Sequence, residues 1–341
     1  MASQSEIAAR LGVNQSTVSR ALRDDPLIPE ATRETVRKTA LELDYHPNPL
    51  VSALMEHIRS GAPVKDLGCL AILVDASDEA DWMQHPAYRQ QYDAICRRAA
   101  LRGYRAEPFY LRAPGMNPQR IDRILQARGI VGVILAAPRR QESPPIKLAW
   151  EKYALVTAGY TWQAPLVDRV STHYRRHVEL AFQQLQTRGY QRIGVCLPRP
   201  AISRTDSNLL AGYLVCQDRL PRTQRIPVFY GQIEVTPLEN FKQWFNRWKP
   251  DAILCLNGGE ISWLTEMGLS VGTDLGLACL CHIPGSNLSA VDENNGVIGE
   301  ILCDLVSAHL VHNTRGIPSH PRLTLIEGTW VEGSTYLERH V

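Results

Sequence analysis

Three sets of residues in this sequence have types and spacing that could do chemistry. Cys279, Cys281 and His282 stand close enough to supply soft metal ligands. The acid pairs Asp24–Asp25 and Asp78–Glu79 could serve general acid–base work. Trp82, Tyr160 and Trp162 follow closely on apolar, strand-like runs, where aromatic faces beside a few polar groups suit carbohydrate rings.

The first two sets weaken when their surroundings are read. The eight cysteines, Cys69, Cys96, Cys196, Cys216, Cys255, Cys279, Cys281 and Cys303, include no C-x-x-C pair and sit mostly in apolar runs such as AILCL and LACLC. Small buried thiols in a reducing compartment account for them better than zinc or disulfides. The acid pairs fall in turns or exposed loops. There is no G-x-S-x-G elbow, no G-x-x-x-x-G-K-[ST] phosphate loop, no G-x-G-x-x-G after a strand and no H-E-x-x-H. The expectation is no enzyme, no metal and no cofactor.

The elements that must carry the remaining residues come in two kinds. At 341 residues with 44% apolar content, the chain has room for two or three folding units. No apolar run approaches the ~20 residues of a membrane helix. The opening MASQSEIAARLGV lacks a basic stretch followed by an apolar one, so a cytoplasmic protein is expected. From residue 66 onward, apolar runs at 67–75, 129–137, 153–159, 192–198, 251–257 and 275–281 alternate with amphipathic stretches such as PAYRQQYDAICRRAALRGY. Near-continuous apolar strands separated by helices indicate parallel sheets covered on both faces. Two such sets, breaking near residue 165, predict two doubly wound lobes with a ligand crevice beyond the carboxyl ends of their strands.

The first sixty residues read differently. Ser3-Gln4-Ser5-Glu6 is a capping box, followed by Ile7, Ala8 and Leu11 on one helix face and by Gly12 as a stop. Asn14 suits the cap of a second helix from Gln15 to about Arg23 with inner residues Val18, Ala21 and Leu22. A third helix is expected from Pro29 to Leu43. Two short helices joined by a tight Gly-Val-Asn turn form a helix-turn-helix signature. With seven Lys/Arg against eight Asp/Glu in residues 1–60, this head is not a basic arm, so any DNA affinity must come from placed contacts.

The segments SEIAARLGVNQSTVSRAL, IPEATRETV and ALELDYHPNPLVSAL, in that order and spacing, resemble the head of the LacI/GalR family of bacterial regulators. The segments GYQRIGV, KPDAILCLN and LIEGTWVEGST extend the resemblance to its sensor. It implies an all-α, lambda-repressor-like helix-turn-helix head (1–46), a hinge helix and linker (47–60), and a periplasmic-binding-protein-like type I α/β sensor (61–341). Within the sensor, lobe 1 would hold about 66–162 and 291–325, and lobe 2 about 163–290 and 326–341. The implied function is a homodimeric repressor of carbohydrate-utilisation genes that binds operator DNA under control of a small effector, a sugar or sugar derivative.

By the same resemblance Gln15, Ser16 and Arg20 would face base edges in the major groove, where Arg suits guanine and Gln suits adenine. Asn14, Thr17, Ser19 and Asn48 would contact phosphates. Leu54 would wedge into the minor groove, although this hinge reads Val51-Ser52-Ala53-Leu54 where the family has a basic residue. The pocket departs further. The family's ligand-holding arginine and two aspartates correspond here to Leu209, Gly258 and Cys281, and its Asp-Asn pair to His173-Tyr174. Either a different ligand is read by other strand-end groups, namely Asp75, Trp82, His85, Tyr160, Trp162, His173, Arg204, Asn257 and His282, or effector binding has been lost or passed to a protein partner. A solute-binding protein using the same lobes is a further alternative. The DNA-binding head and the missing signal segment oppose it.

Overall fold

The structure, a computed structural model, describes residues 4–22, 25, 27–43, 45, 68–138, 146–231 and 237–337. The chain divides into two units, residues 1–65 and 66–341. Ser3 and the hinge stretch 47–60, with Asn48 and Leu54, lie outside the described residues.

In the first unit, α1 (Gln4–Leu11), α2 (Gln15–Ala21) and α3 (Glu30–Glu42) pack around Ile7, Ala8, Val18, Ala21, Ile28, Val36 and Ala40. Gly12 ends α1 with φ of +64°, a conformation glycine adopts without steric cost. Two expected details differ. Asn14 flanks α2 in extended conformation but makes no side-chain cap bond. Pro29 precedes α3 rather than opening it, since its ψ of 142° is extended, not helical.

The second unit is built on two sheets. β1 (Cys69–Val74), the short α4 (Glu79–Trp82), α5 (Pro86–Leu101), β2 (Arg105–Tyr110), α6 (Pro118–Ala127), β3 (Gly132–Leu135), β4 (Ala154–Ala158) and β5 (Asp168–Thr172) begin the first lobe. The chain then enters the second lobe through α7 (Tyr174–Thr187), β6 (Ile193–Val195), α8 (Arg199–Arg204), α9 (Asn208–Asp218), α10 (Pro237–Trp248), β7 (Ala252–Cys255), α11 (Ile261–Glu266), β8 (Gly276–Cys279) and β9 (Ala290–Asp292). It returns through α12 (Asn295–Val311) and β10 (Leu323–Ile326), and crosses again to β11 (Thr329–Val331).

The first sheet runs β10-β5-β4-β3-β1-β2, all parallel. The second runs β11-β9-β8-β7-β6, with β11 alone antiparallel. Alternate residues of each central strand feed separate cores. In β1, Leu70 and Ile72 face one core while Ala71 and Leu73 face the other. In β7, Ala252 and Leu254 oppose Ile253 and Cys255 in the same way. That two-sided burial explains why these strands read as continuous apolar runs. No described helix is long and apolar enough to cross a membrane.

The lobe boundaries move from those expected. The first sheet keeps the chain through Thr172, not 162, and the second keeps it through Asp292. The last return to the second sheet follows Ile326. β5 is hidden in the sequence because it opens on Asp168-Arg169, a charged pair that a buried strand should not carry. Asp168 is only 3% exposed. Its carboxylate accepts from the Arg322 backbone amide and Nε, both at 2.8 Å, and lies 3.0 Å from His309 Nε2. Burial alone would raise this carboxyl; the Arg322 contacts more than offset it and hold the group below its ordinary range.

α12 lies tightly against α5, because a Cβ on Gly299 would stand 2.3 Å from the Gln91 carbonyl oxygen. Gly299→Ala is therefore expected to lower stability by about 1–3 kcal/mol through overpacking, read as a lower urea midpoint at unchanged slope. An unchanged midpoint would mean that these helices do not approach so closely.

Candidate functional site

Two surfaces hold the residues singled out above. On the head, α2 buries Val18 and Ala21 and turns Gln15 and Ser16 outward, exposed, with Ser19 and Arg20 half-buried one turn further along. These four share a face because helical neighbours recur every three to four residues. Arg20 donates from Nε to Asp25 at 2.8 Å, and its terminal nitrogens have no hydrogen-bond partner among the described residues. Asp25 thus fixes the guanidinium while leaving its outer edge for another acceptor. Asn14 is exposed and Thr17 half-buried, at the start of the same helix.

In the second unit, a cavity of about 350 Å³ opens where the carboxyl ends of both sheets meet. The first lobe contributes His85, Tyr88 and Gln91 from the start of α5, Tyr160 beyond β4, and Ser171 and Thr172 from the end of β5. The second contributes Tyr174 at the start of α7, Arg204 and Thr205 at the end of α8, Leu209, Asn257 beyond β7 and Cys281 beyond β8. Glu293 and Asn295, on the crossing from β9 to α12, complete the wall. Arg204 Nη2 donates across the cleft to the Tyr88 hydroxyl at 3.1 Å, and Gln91 Nε2 donates to Asn295 Oδ1 at 2.7 Å. The Tyr160 and Tyr174 rings lie 6.4 Å apart, and the Arg169 guanidinium sits 5.3 Å from the Tyr160 ring centroid.

Of the nine strand-end residues, the cavity gathers His85, Tyr160, Arg204 and Asn257. The other five are held elsewhere. Asp75 is taken by Arg112, with Nε at 2.5 Å and Nη2 at 3.1 Å. Asp75 and Trp82 line a neighbouring cavity of about 240 Å³ that meets the first at Ala137. The Trp162 indole turns into the core and donates to the Ala136 carbonyl at 2.7 Å. His173 pairs through Nδ1 with Glu327 at 2.9 Å. His282 donates its backbone amide to the Val291 carbonyl at 3.0 Å and does not line the wall.

Two residues that replace the family's clamp, Leu209 and Cys281, do line this cavity, whereas Gly258 does not. Cys279 is buried with its sulfur 3.7 Å from that of Cys255, and no described His/Cys/Asp/Glu group could hold a metal.

The sequence reading missed Glu293, which stands in the loop-like run Asp-Glu-Asn-Asn. Only 8% exposed, it has Asn295 Nδ2 at 3.5 Å and the Cys281 thiol beside it. Burial pushes its carboxyl up to about 7. Burial likewise raises the Tyr160 and Tyr174 hydroxyls and the Cys281 thiol.

Three comparisons with known proteins bear on this architecture of a helix-turn-helix head and a two-lobed, doubly wound unit. A family model described as "Bacterial regulatory proteins, lacI family" matches residues 5–48. The HTH-type transcriptional repressor PurR of Shigella dysenteriae serotype 1 (strain Sd197) is 23% identical over 346 residues, covering 95% of each chain. PurR of Escherichia coli O1:K1 / APEC matches to the same extent. Among solved structures, a transcriptional regulator CelR–cellobiose complex is 18% identical, covers 98% of this chain and 100% of its own, and gives a TM-score of 0.59. The lac repressor dimer bound to operator and the anti-inducer ONPF is 18% identical, covers 98% and 99%, and gives 0.59. The chain is thus similar to DNA-binding transcriptional repressors along its length: residues 5–48 match the lacI-family head, and the two-lobed unit shares the fold of these solved structures.

Glu293 ties the site to pH. Its carboxyl titrates near 4.5 when unfolded and at about 7 when folded, so the folded chain holds the proton more tightly across that window. Stability from this group therefore falls as pH rises from 4.5 to about 7, and the full penalty applies above. His177, lowered by burial to about 4, contributes an opposite trend that is common to variant and wild type. Glu293→Gln is expected to gain stability relative to the wild type as pH rises, more at about pH 8 than at about pH 5. Parallel thermal-melt profiles for the two proteins would contradict this.

Proposed function

We propose that the protein represses carbohydrate-utilisation genes by binding a near-palindromic operator as a homodimer, with affinity set by a small sugar or sugar derivative held in the sensor cavity. The observation that carries the effector reading is the cavity itself. It lies at the carboxyl ends of both sheets, is walled by both lobes, and combines tyrosine faces with amides, hydroxyls and an arginine. That lining speaks for a retained small ligand rather than a lost one. The similar structures include a cellobiose complex and a ribose-bound regulator from Enterococcus faecium, in keeping with a carbohydrate.

On the DNA side, Gln15, Ser16 and Arg20 read base edges, while Asn14, Thr17, Ser19 and Asn48 set the register on phosphates. Leu54 is the minor-groove wedge. Domain limits of 1–46, 47–60 and 61–341 belong to this reading. The lobes within the last segment follow the sheets described above. Closure of the lobes on a ligand favours one arrangement of the paired sensors, and so biases the hinge and the operator affinity.

Selection from a random duplex pool with the full-length protein tests the DNA reading. The expected product is a palindrome with two half-sites within roughly 14–20 base pairs; no enrichment, with or without sugars, would contradict it. Arg20→Ala is expected to relax base preference at one position in each half-site, costing about 1–3 kcal/mol. An unchanged preference removes Arg20 from the reading set. Leu54→Ala should weaken specific binding while sparing nonspecific binding, and equal loss of both would sink the wedge.

A further inference from the structure

Among the described residues, neither charged group of the cavity wall, Arg204 or Glu293, forms an ion pair. Arg204 is the guanidinium in its wall and makes no ion pair among the described residues. Its Nη2 rests on the neutral Tyr88 hydroxyl, and its Nε is buried with no hydrogen-bond partner. Glu293, on the crossing segment, faces the same space with the Asn295 amide and the Cys281 thiol beside it, and the Arg204 charge acts on it without forming an ion pair. A half-buried guanidinium with a buried, unbonded Nε and a buried carboxyl, neither in an ion pair, are costly to keep out of water. A ligand that accepts from the first and donates to the second relieves both costs.

The rest of the wall narrows the ligand class. Gln91, Asn257, Thr172 and Thr205 offer amide and hydroxyl groups, and Tyr160 offers a ring face. His85, the other basic group in the wall, has Nδ1 engaged by the Ala87 amide at 3.3 Å. The 350 Å³ volume is at the small end of ligand sites, which run about 300–1,000 Å³. We propose that this cavity binds a small polyhydroxylated carboxylate, a sugar acid, with its carboxylate on Arg204 and a hydroxyl donating to Glu293. The proposal rests on the reading of the cavity as the effector site. The guanidinium's planar fork matches a carboxylate with paired hydrogen bonds. A phosphate dianion would bring a second negative charge that no further cation in the wall balances, and an amino acid would leave the hydroxyl- and amide-rich wall unused.

Calorimetric titration of the full-length protein tests this with glucuronate, galacturonate and gluconate against glucose and galactose, together with glucose 6-phosphate and glutamate. At least one sugar acid is expected to bind more tightly than its neutral parent by about tenfold or more, the scale of a charge-assisted hydrogen bond. Arg204→Gln should abolish that preference, so that acid and neutral parent bind the variant alike; Arg204→Lys, which keeps the charge without the fork, should retain part of it. Unliganded melting curves establish that both variants fold. Equal binding of acid and neutral sugars, tighter binding of the phosphate or of glutamate, or an undiminished preference in both variants overturns the sugar-acid inference and leaves the effector reading standing. If no compound binds, both fall.

Discussion

The sensor depends on one constraint: among the described residues the chain passes between its two sheets at His173, at 293–294 and at 327–328, all at the carboxyl ends of strands. Polar groups accumulate there because the strands themselves are apolar and covered on both faces. The crossings bring Thr172 and Tyr174, then Glu293 and Asn295, to the floor of the cavity. Any change in the angle between the lobes must pass through these same residues. A ligand that touches them acts on the hinge directly, with no longer path required.

The Arg204–Tyr88 hydrogen bond shows the same economy. It joins α8 of one lobe to α5 of the other across the opening, and α5 is locked in turn to α12 by the close approach at Gly299 and by the Gln91–Asn295 bond. Close helix packing on one side and a polar bridge on the other make a cleft whose state a small molecule can bias. A few kcal/mol of differential contact suffice to shift such a two-state equilibrium.

Much of the fold was legible because burial on both faces leaves a plain signature. The runs around β1, β3, β4, β6, β7 and β8 are uninterrupted apolar segments, and the head's helices carry their inner residues at helical spacing. The unread strands carry charge or are short. β5 opens on Asp168 and Arg169, whose partners Arg322 and His309 lie far along the chain, and β9 to β11 span only three or four residues each. The site was less legible for a related reason. Proximity to a strand end does not fix where a side chain turns: Trp162 enters the core, Asp75 is taken by Arg112, and His173 by Glu327. Glu293 carried no signal of its own, since its burial arises from the crossing geometry rather than from its neighbours in sequence.

Coupling between the cavity and DNA is the claim on which the functional account stands, and thermodynamic linkage tests it most directly. The affinity of the full-length protein for its selected operator should be measured without ligand and at saturation with the sugar acid that binds. That ligand's affinity should then be measured with the protein free and operator-bound. The two ratios are expected to be equal and to differ from one by about 5- to 150-fold. A ratio of one in both directions would contradict the account, because a ligand that binds both DNA-binding states equally cannot regulate the operator.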